Sequence, residues 1–107
     1  MHKKEKIIEL IQQEAGKFLN ETSNKTSLIT VTSIDLTPDF KKAVIFVTVF
    51  PDDQEDHVME FLTRQRKNFK QYLKDKTKLA RVPFVTFEID KGEKARQRIE
   101  EISQDLK

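Results

Sequence analysis

The sequence predicts a two-layer α+β domain in which helices cover one face of a three-stranded sheet. Three observations carry that expectation. The β-branched residues are concentrated between Leu28 and Phe50, LITVTSIDLTPDFKKAVIFVTVF, which reads as two strands and a tight turn. Apolar residues recur at helical spacing before and after that stretch. A short alternation of Val85, Phe87 and Ile89, opened by Pro83, supplies a third strand. The expected order is α-β-β-α-α-β followed by a C-terminal helix, in one domain over residues 1–107 with 91–107 as that helix or a tail. One long crossover then joins the second strand to the third, so the first helix and the long helical segment are expected to cover the same sheet face.

Residues 4–20 form the first helix, with Ile7, Ile8, Ile11, Ala15, Phe18 and Leu19 on one stripe and Glu9, Gln13, Lys17 and Asn20 opposite. Gly16 interrupts it at a cost of about 1 kcal/mol relative to Ala; either surface tolerance or a close backbone approach would explain it. A polar loop, Asn20 to Ser27, leads to the first strand. There Ile29 and Val31 share one parity and Ile34 and Leu36 the other, so a β-bulge at Thr32 or Ser33 is expected to bring both pairs to the core face. Thr37-Pro38-Asp39-Phe40 is a turn, because Pro sets φ for the first central position and Asp suits the second. Beyond it Ala43, Ile45, Val47 and Val49 alternate toward one face.

Asp52 and Glu55 have capping-box spacing, with Asp52 as the expected N-cap of the next helix, and Asp52, Asp53, Glu55 and Asp56 suit its positive end. The helical pattern runs from Gln54 to about Lys78, with Val58, Phe61, Leu62, Phe69, Tyr72 and Leu73 on its stripe. Gln65 interrupts the stripe, and the segment is long for a small domain. A bend or break is therefore expected near residues 65–68. A loop from Lys76 to Val82 precedes the third strand. Ala95, Ile99, Ile102 and Leu106 form a thin stripe on a last helix from Glu93.

Composition narrows the function. Apolar and charged residues are each 36% of the chain, cysteine is absent, and eight of the nine aromatics are Phe. The absence of Cys removes disulfide, thiolate-metal and thiol chemistry. No run approaches a membrane span and the N-terminus lacks a signal-peptide pattern, so a cytoplasmic protein is expected. His2 is terminal, His57 lies in an acidic helix start, and no nucleophile has an evident base by spacing. No glycine-rich phosphate loop exists, and the acid cluster lacks the spacing of a calcium loop. The expectation is a protein without catalysis, cofactor, metal or small-molecule substrate.

The hairpin Ile29–Val49, ITVTSIDLTPDFKKAVIFVTV, resembles the signature of the ribosome-binding factor A family in its run of residue types, its Pro38-Asp39 turn and its small Ala43. IIELIQQEAGKFL resembles the family's opening helix, Arg81-Val82-Pro83 with Val85-Thr86-Phe87 its VP-x-L-x-F strand, and Arg98-Ile99-Glu100-Glu101-Ile102 its ending. The resemblance implies a K-homology-like fold of the second topological type. It also implies an assembly factor, acting as a monomer, that binds the small ribosomal subunit and its rRNA and favours late maturation and precursor processing. One departure stands out: the family's Ala-x-Gly kink falls on Gln65-Arg66-Lys67, and the GxxG loop of ordinary K-homology domains is absent too. Helix is therefore expected to continue further through residues 62–73 than in typical relatives.

Net charge is only +2, so nucleic-acid binding must rest on how charge is distributed. Eight basic residues stand between Arg64 and Arg81, namely Arg64, Arg66, Lys67, Lys70, Lys74, Lys76, Lys78 and Arg81, opposed only by Asp75. Lys67, Lys70, Lys74 and Lys78 are three or four apart and share a helical face, flanked by Arg64 and Arg66. Such a row suits phosphates, with counterion release supplying affinity. The expected RNA-binding set is Arg64, Arg66, Lys67, Lys70, Lys74, Lys78 and Arg81. The competing expectation is an α+β interaction module whose basic face meets an acidic partner protein.

Overall fold

A computed structural model describes residues 3–22 and 27–92. The expected C-terminal helix and His2 lie outside the described residues. The observed order is α1 (Lys3–Thr22), β1 (Leu28–Leu36), β2 (Lys42–Phe50), a 3-10 turn (Asp52–Gln54), α2 (Glu55–Lys76) and β3 (Phe84–Ile89). The strands lie in the order β1-β2-β3. β2 pairs antiparallel with β1 and parallel with β3.

The expected bulge is present, and its extra residue is Thr32. Val31 pairs with Val47 and Ser33 with Phe46, so Thr32 has no residue opposite it on β2. That one inserted residue brings Ile34 and Leu36 onto the face of Ile45 and Ala43, where both are buried. Ile29 and Val31 are half-buried, less sheltered than expected, but still pack against the core. Burying Ile34 and Leu36 is worth about 1.5 to 3 kcal/mol each, more than one irregular pairing costs. The Thr32 hydroxyl donates to Asp90 Oδ2 at 2.5 Å and lies 3.3 Å from the Phe46 carbonyl.

The turn is closed by side chains as well as backbone. The Phe40 N–H donates to the Thr37 carbonyl at 2.9 Å, and the Thr37 N–H to the Lys42 carbonyl at 3.0 Å. Asp39 Oδ1 accepts from the Thr37 hydroxyl at 2.7 Å and from the Lys41 N–H at 3.0 Å. These bonds, the Thr37 hydroxyl first, hold the Asp39 carboxyl below the usual aspartate value. Phe40 sits at φ 59, an uncommon region for a residue with a side chain, and its ring packs partly against the core.

α1 and α2 pack on the same face of the sheet, as expected from the crossover. Ile11, Ala15, Phe18 and Leu19 of α1 join Val58, Leu62, Phe69 and Leu73 of α2 in one cluster with Ala43, Ile45, Val47, Val49, Val85 and Phe87. Phe69 links the layers, its ring 5.1 Å from Phe18 and 6.0 Å from Phe87. The second aromatic contact between the helices carries a polar tip, as the Tyr72 hydroxyl donates to Glu14 Oε2 at 3.0 Å.

Two expectations need correction. α2 does not break near residues 65–68: it is one uninterrupted helix, so the two middle helices of the expected order are one. The described order is accordingly α-β-β-α-β. Gln65 is half-buried and accepts a hydrogen bond from Asn68 at 3.0 Å, which lets a polar residue sit on the stripe without ending the helix. Asp52 is not the N-cap of α2. The 3-10 turn intervenes, and Gln54 occupies that position without a side-chain cap bond. Glu55 and Asp56 still place acids in the first turn of α2, where the dipole favours them.

Candidate nucleic-acid interface

The charge distribution on α2 follows from its buried stripe. Val58, Leu62, Phe69 and Leu73 face the sheet, and at 100° per residue Lys67 and Lys74 fall on the side turned away, with Lys70 between them and the β3 side. All three are exposed, as is Arg64 on the opposite flank. Among the described residues none of the seven predicted cations has an ion-pair partner, and the recorded pair, Lys17 with Glu14 at 3.5 Å, lies on α1. Asp75, the acid within the run, accepts a hydrogen bond from the Gln71 amide at 2.9 Å. Among the described residues the row is therefore a positively charged surface without an ion-pair partner.

Lys78 does not share that helical face. α2 ends at Lys76, where the Thr77 N–H donates back to the Leu73 carbonyl at 3.0 Å and the Thr77 hydroxyl to the same oxygen at 2.5 Å. Lys78 and Arg81 are both exposed in the segment between α2 and β3, so they extend the basic surface past the helix rather than along it.

Arg66 differs from its neighbours. It is half-buried, its Nε donates to the Thr63 carbonyl at 3.3 Å, and its guanidinium carbon lies 5.6 Å from the centroid of the Phe84 ring. The set is thus three exposed lysines on α2, one anchored arginine, Arg64 on the flank, and two cations in the following segment.

The fold adds two cations that the helical periodicity could not find. Lys42 is the partner of Phe84 across β2 and β3, and the Phe84 N–H donates to the Lys41 carbonyl at 2.8 Å. Both lysines are exposed and, through Phe84, lie on the side of Arg66 at the middle of α2. Their sequence signal was an adjacent lysine pair just past the turn, which has no helical partner and gains meaning only from the β2–β3 register. Among the described residues no cluster of His, Cys, Asp and Glu could hold a metal ion, and no helix is long and apolar enough to cross a membrane.

The family model for ribosome-binding factor A matches residues 3–103. The chain belongs to the ribosome-binding factor A family. The relative from Chlorobium phaeovibrioides is 33% identical over 102 residues, 92% of this chain and 86% of its own length. That from Staphylococcus epidermidis is 28% identical over 105 residues, 95% of this chain and 90% of its own. The crystal structure of ribosome-binding factor A from Thermus thermophilus superposes with a TM-score of 0.70 at 17% identity, covering 78% of this chain and 90% of that one. The solution structure of a Thermotoga maritima family member gives 0.61 at 20% identity, covering 82% and 83%. These likenesses establish the fold, including the K-homology-like arrangement that the family resemblance implied. Where the resemblance places the family's Ala-x-Gly kink, this member carries Gln65-Arg66-Lys67 inside continuous helix.

Proposed function

We propose that this protein is a non-enzymatic, monomeric assembly factor that binds small-subunit ribosomal RNA and favours late maturation and precursor processing of that subunit. The observation that carries the reading is the row Lys67, Lys70 and Lys74, exposed on the outer side of α2 without an ion-pair partner among the described residues. Family membership supplies the RNA, and a Thermus thermophilus relative has been fitted as ribosome-binding factor A into a map of its complex with the 30S subunit. Arg64, Arg66, Lys78 and Arg81 would widen the phosphate-binding surface on either side of the row. No bond is made or broken by the protein; its binding energy favours one RNA arrangement over others. The alternative, an α+β interaction module whose basic face meets an acidic partner protein, would use the same exposed lysine row.

The test is the salt dependence of binding to small-subunit rRNA. Replacing Lys67, Lys70 and Lys74 with Gln should weaken binding and flatten the slope of log affinity against log salt by about 0.7 to 0.9 for each phosphate that is no longer neutralised. Melting temperature should hold, because the three side chains are exposed. An unchanged slope would remove this face from the site. Capture of ribosomal proteins from lysate that survives ribonuclease would favour the protein-partner reading instead.

A further inference from the structure

We propose that Phe84 is a stacking platform for an unpaired nucleobase, set between the Arg66 guanidinium and Lys42. The inference rests on the RNA-binding reading above and names a base site within it.

Most of the aromatic side chains are sheltered. Phe18, Phe69 and Phe87 are buried, and Phe40, Phe61 and Tyr72 are half-buried against the core. Phe84 is 54% exposed although its strand neighbours Pro83 and Val85 are buried. Phe50 is also exposed, but Phe84 is the exposed ring with a guanidinium over it, at 5.6 Å. Its companions are not those of a protein-docking patch. Its cross-strand partner is Lys42 and the next outward residue of β3 is Thr86; the apolar Val44, diagonal to it on β2, is half-buried, so its direct register neighbours are polar.

The ring is also held in place. Pro83 fixes the backbone entering the strand, the Phe84 N–H is bonded to the Lys41 carbonyl at 2.8 Å, and the β2–β3 register sets the direction of the side chain. A platform ordered before binding loses little entropy when a base settles on it. A stacked base brings its phosphate close, and exposed cations flank the ring: Lys41 and Lys42 on the turn side and Arg81 three residues before it. Arg66 serves the same purpose from α2, since a guanidinium stacks on bases as readily as on Phe and is a donor to phosphate. The nearest acid along the chain from Lys41, Asp39, directs Oδ1 into the turn, where it accepts from Thr37 and from the Lys41 N–H. Stacking on one face is tolerant of base identity, and it requires a base free of a duplex.

The experiment uses the full chain and a mixed-sequence oligoribonucleotide carrying 2-aminopurine, alone and annealed to its complement. Stacking predicts that 2-aminopurine fluorescence is quenched when the single strand binds. Phe84→Leu should weaken single-strand binding about five- to hundredfold while leaving the salt slope as in the wild type, and Phe84→Tyr should retain it. Lys67→Gln, Lys70→Gln and Lys74→Gln together should do the reverse, lowering the slope and sparing the quench. Single-strand affinity of Phe84→Leu within about twofold of wild type, or an equal loss on the duplex, would overturn the platform, leaving the lysine row as the site if its slope effect persists. Loss of the slope effect with the Phe84 effect intact would sink the lysine row and keep the platform. Should Phe84→Leu fail to fold, photo-crosslinking of the wild-type chain to a 4-thiouridine strand decides: an adduct on Phe84 supports the platform, and adducts confined elsewhere refute it.

Discussion

Tyr72 on α2 donates its hydroxyl hydrogen to Glu14 on α1 at 3.0 Å, joining the two helices at the rim of their aromatic contact. Burial, then the hydrogen bond to Glu14 and the negative charge of Glu14 and Glu21, push the phenol up to about 12. Its stabilising contribution is therefore fully present below the ordinary tyrosine value near 10 and is lost as pH rises toward about 12, because the unfolded chain ionises first. This is the sole tyrosine, and tryptophan is absent, so the tyrosinate absorbance reports it without interference. The absorbance midpoint should lie well above 10 in the folded protein. Tyr72→Phe should cost about 1 kcal/mol at neutral pH and lose stability less steeply than wild type between those two pH values. A midpoint at the unperturbed value would show that the hydroxyl is not held by Glu14.

The bulge predicts a register effect. Thr32 is the inserted residue and its hydroxyl reaches Asp90 just beyond β3, across the width of the sheet. Thr32→Val keeps the β-branched shape and removes the donor, so it should destabilise by about 1 to 3 kcal/mol in chemical denaturation. Deleting Thr32 should cost no more than that lost bond, because the remaining Ile29-Thr30-Val31-Ser33-Ile34-Asp35-Leu36 alternates regularly and keeps all four apolar side chains on the core face. A deletion variant that failed to fold would mean that the irregular pairing does more than absorb the one extra residue.

Gly16 offers a stabilising change. A Cβ built there meets nothing within 4 Å, and the position is exposed in mid-helix. The surface-tolerance explanation therefore holds, and a close backbone approach does not. Gly16→Ala should raise stability by about 0.5 to 1 kcal/mol, read as an increase in denaturation midpoint with an unchanged m-value. No gain, or a drop, would indicate a neighbour that the open space does not suggest.

The turn should show an acid-side dependence. Asp39 has its carboxyl held low by the Thr37 hydroxyl and the Lys41 N–H, so the contribution of these bonds is present above the ordinary aspartate value and disappears as pH falls through the lowered one. A carboxyl-detected NMR titration should place Asp39 below the ordinary value. Thr37→Val should shift it upward, and a midpoint that does not respond to that change would exclude the hydroxyl as the leading cause.

The sequence by itself determined the hairpin, its bulge, the core faces of α1 and α2 and the third strand, because each is written in a local period of two or 3.6 residues that alternation of buried and exposed positions must obey. It also determined that a basic row exists on the second half of α2, since on any helical wheel Lys67 and Lys74 sit away from Phe69 and Leu73, with Lys70 on the flank beside them. Tertiary structure alone decided three things. Whether the stripe breaks at Gln65 depends on whether Leu62 and Phe69 on either side of it pack on the sheet from one helix, and both are fully buried there. Whether Lys78 continues the row depends on where α2 ends, which the Thr77 cap sets. The grouping of Arg66, Phe84, Lys41 and Lys42 was not legible at all, because it joins a helix, a turn and a strand start separated along the chain by up to 43 residues, the span from Lys41 to Phe84. Only the parallel β2–β3 register, closed by the return of the chain through α2, brings those side chains to one edge.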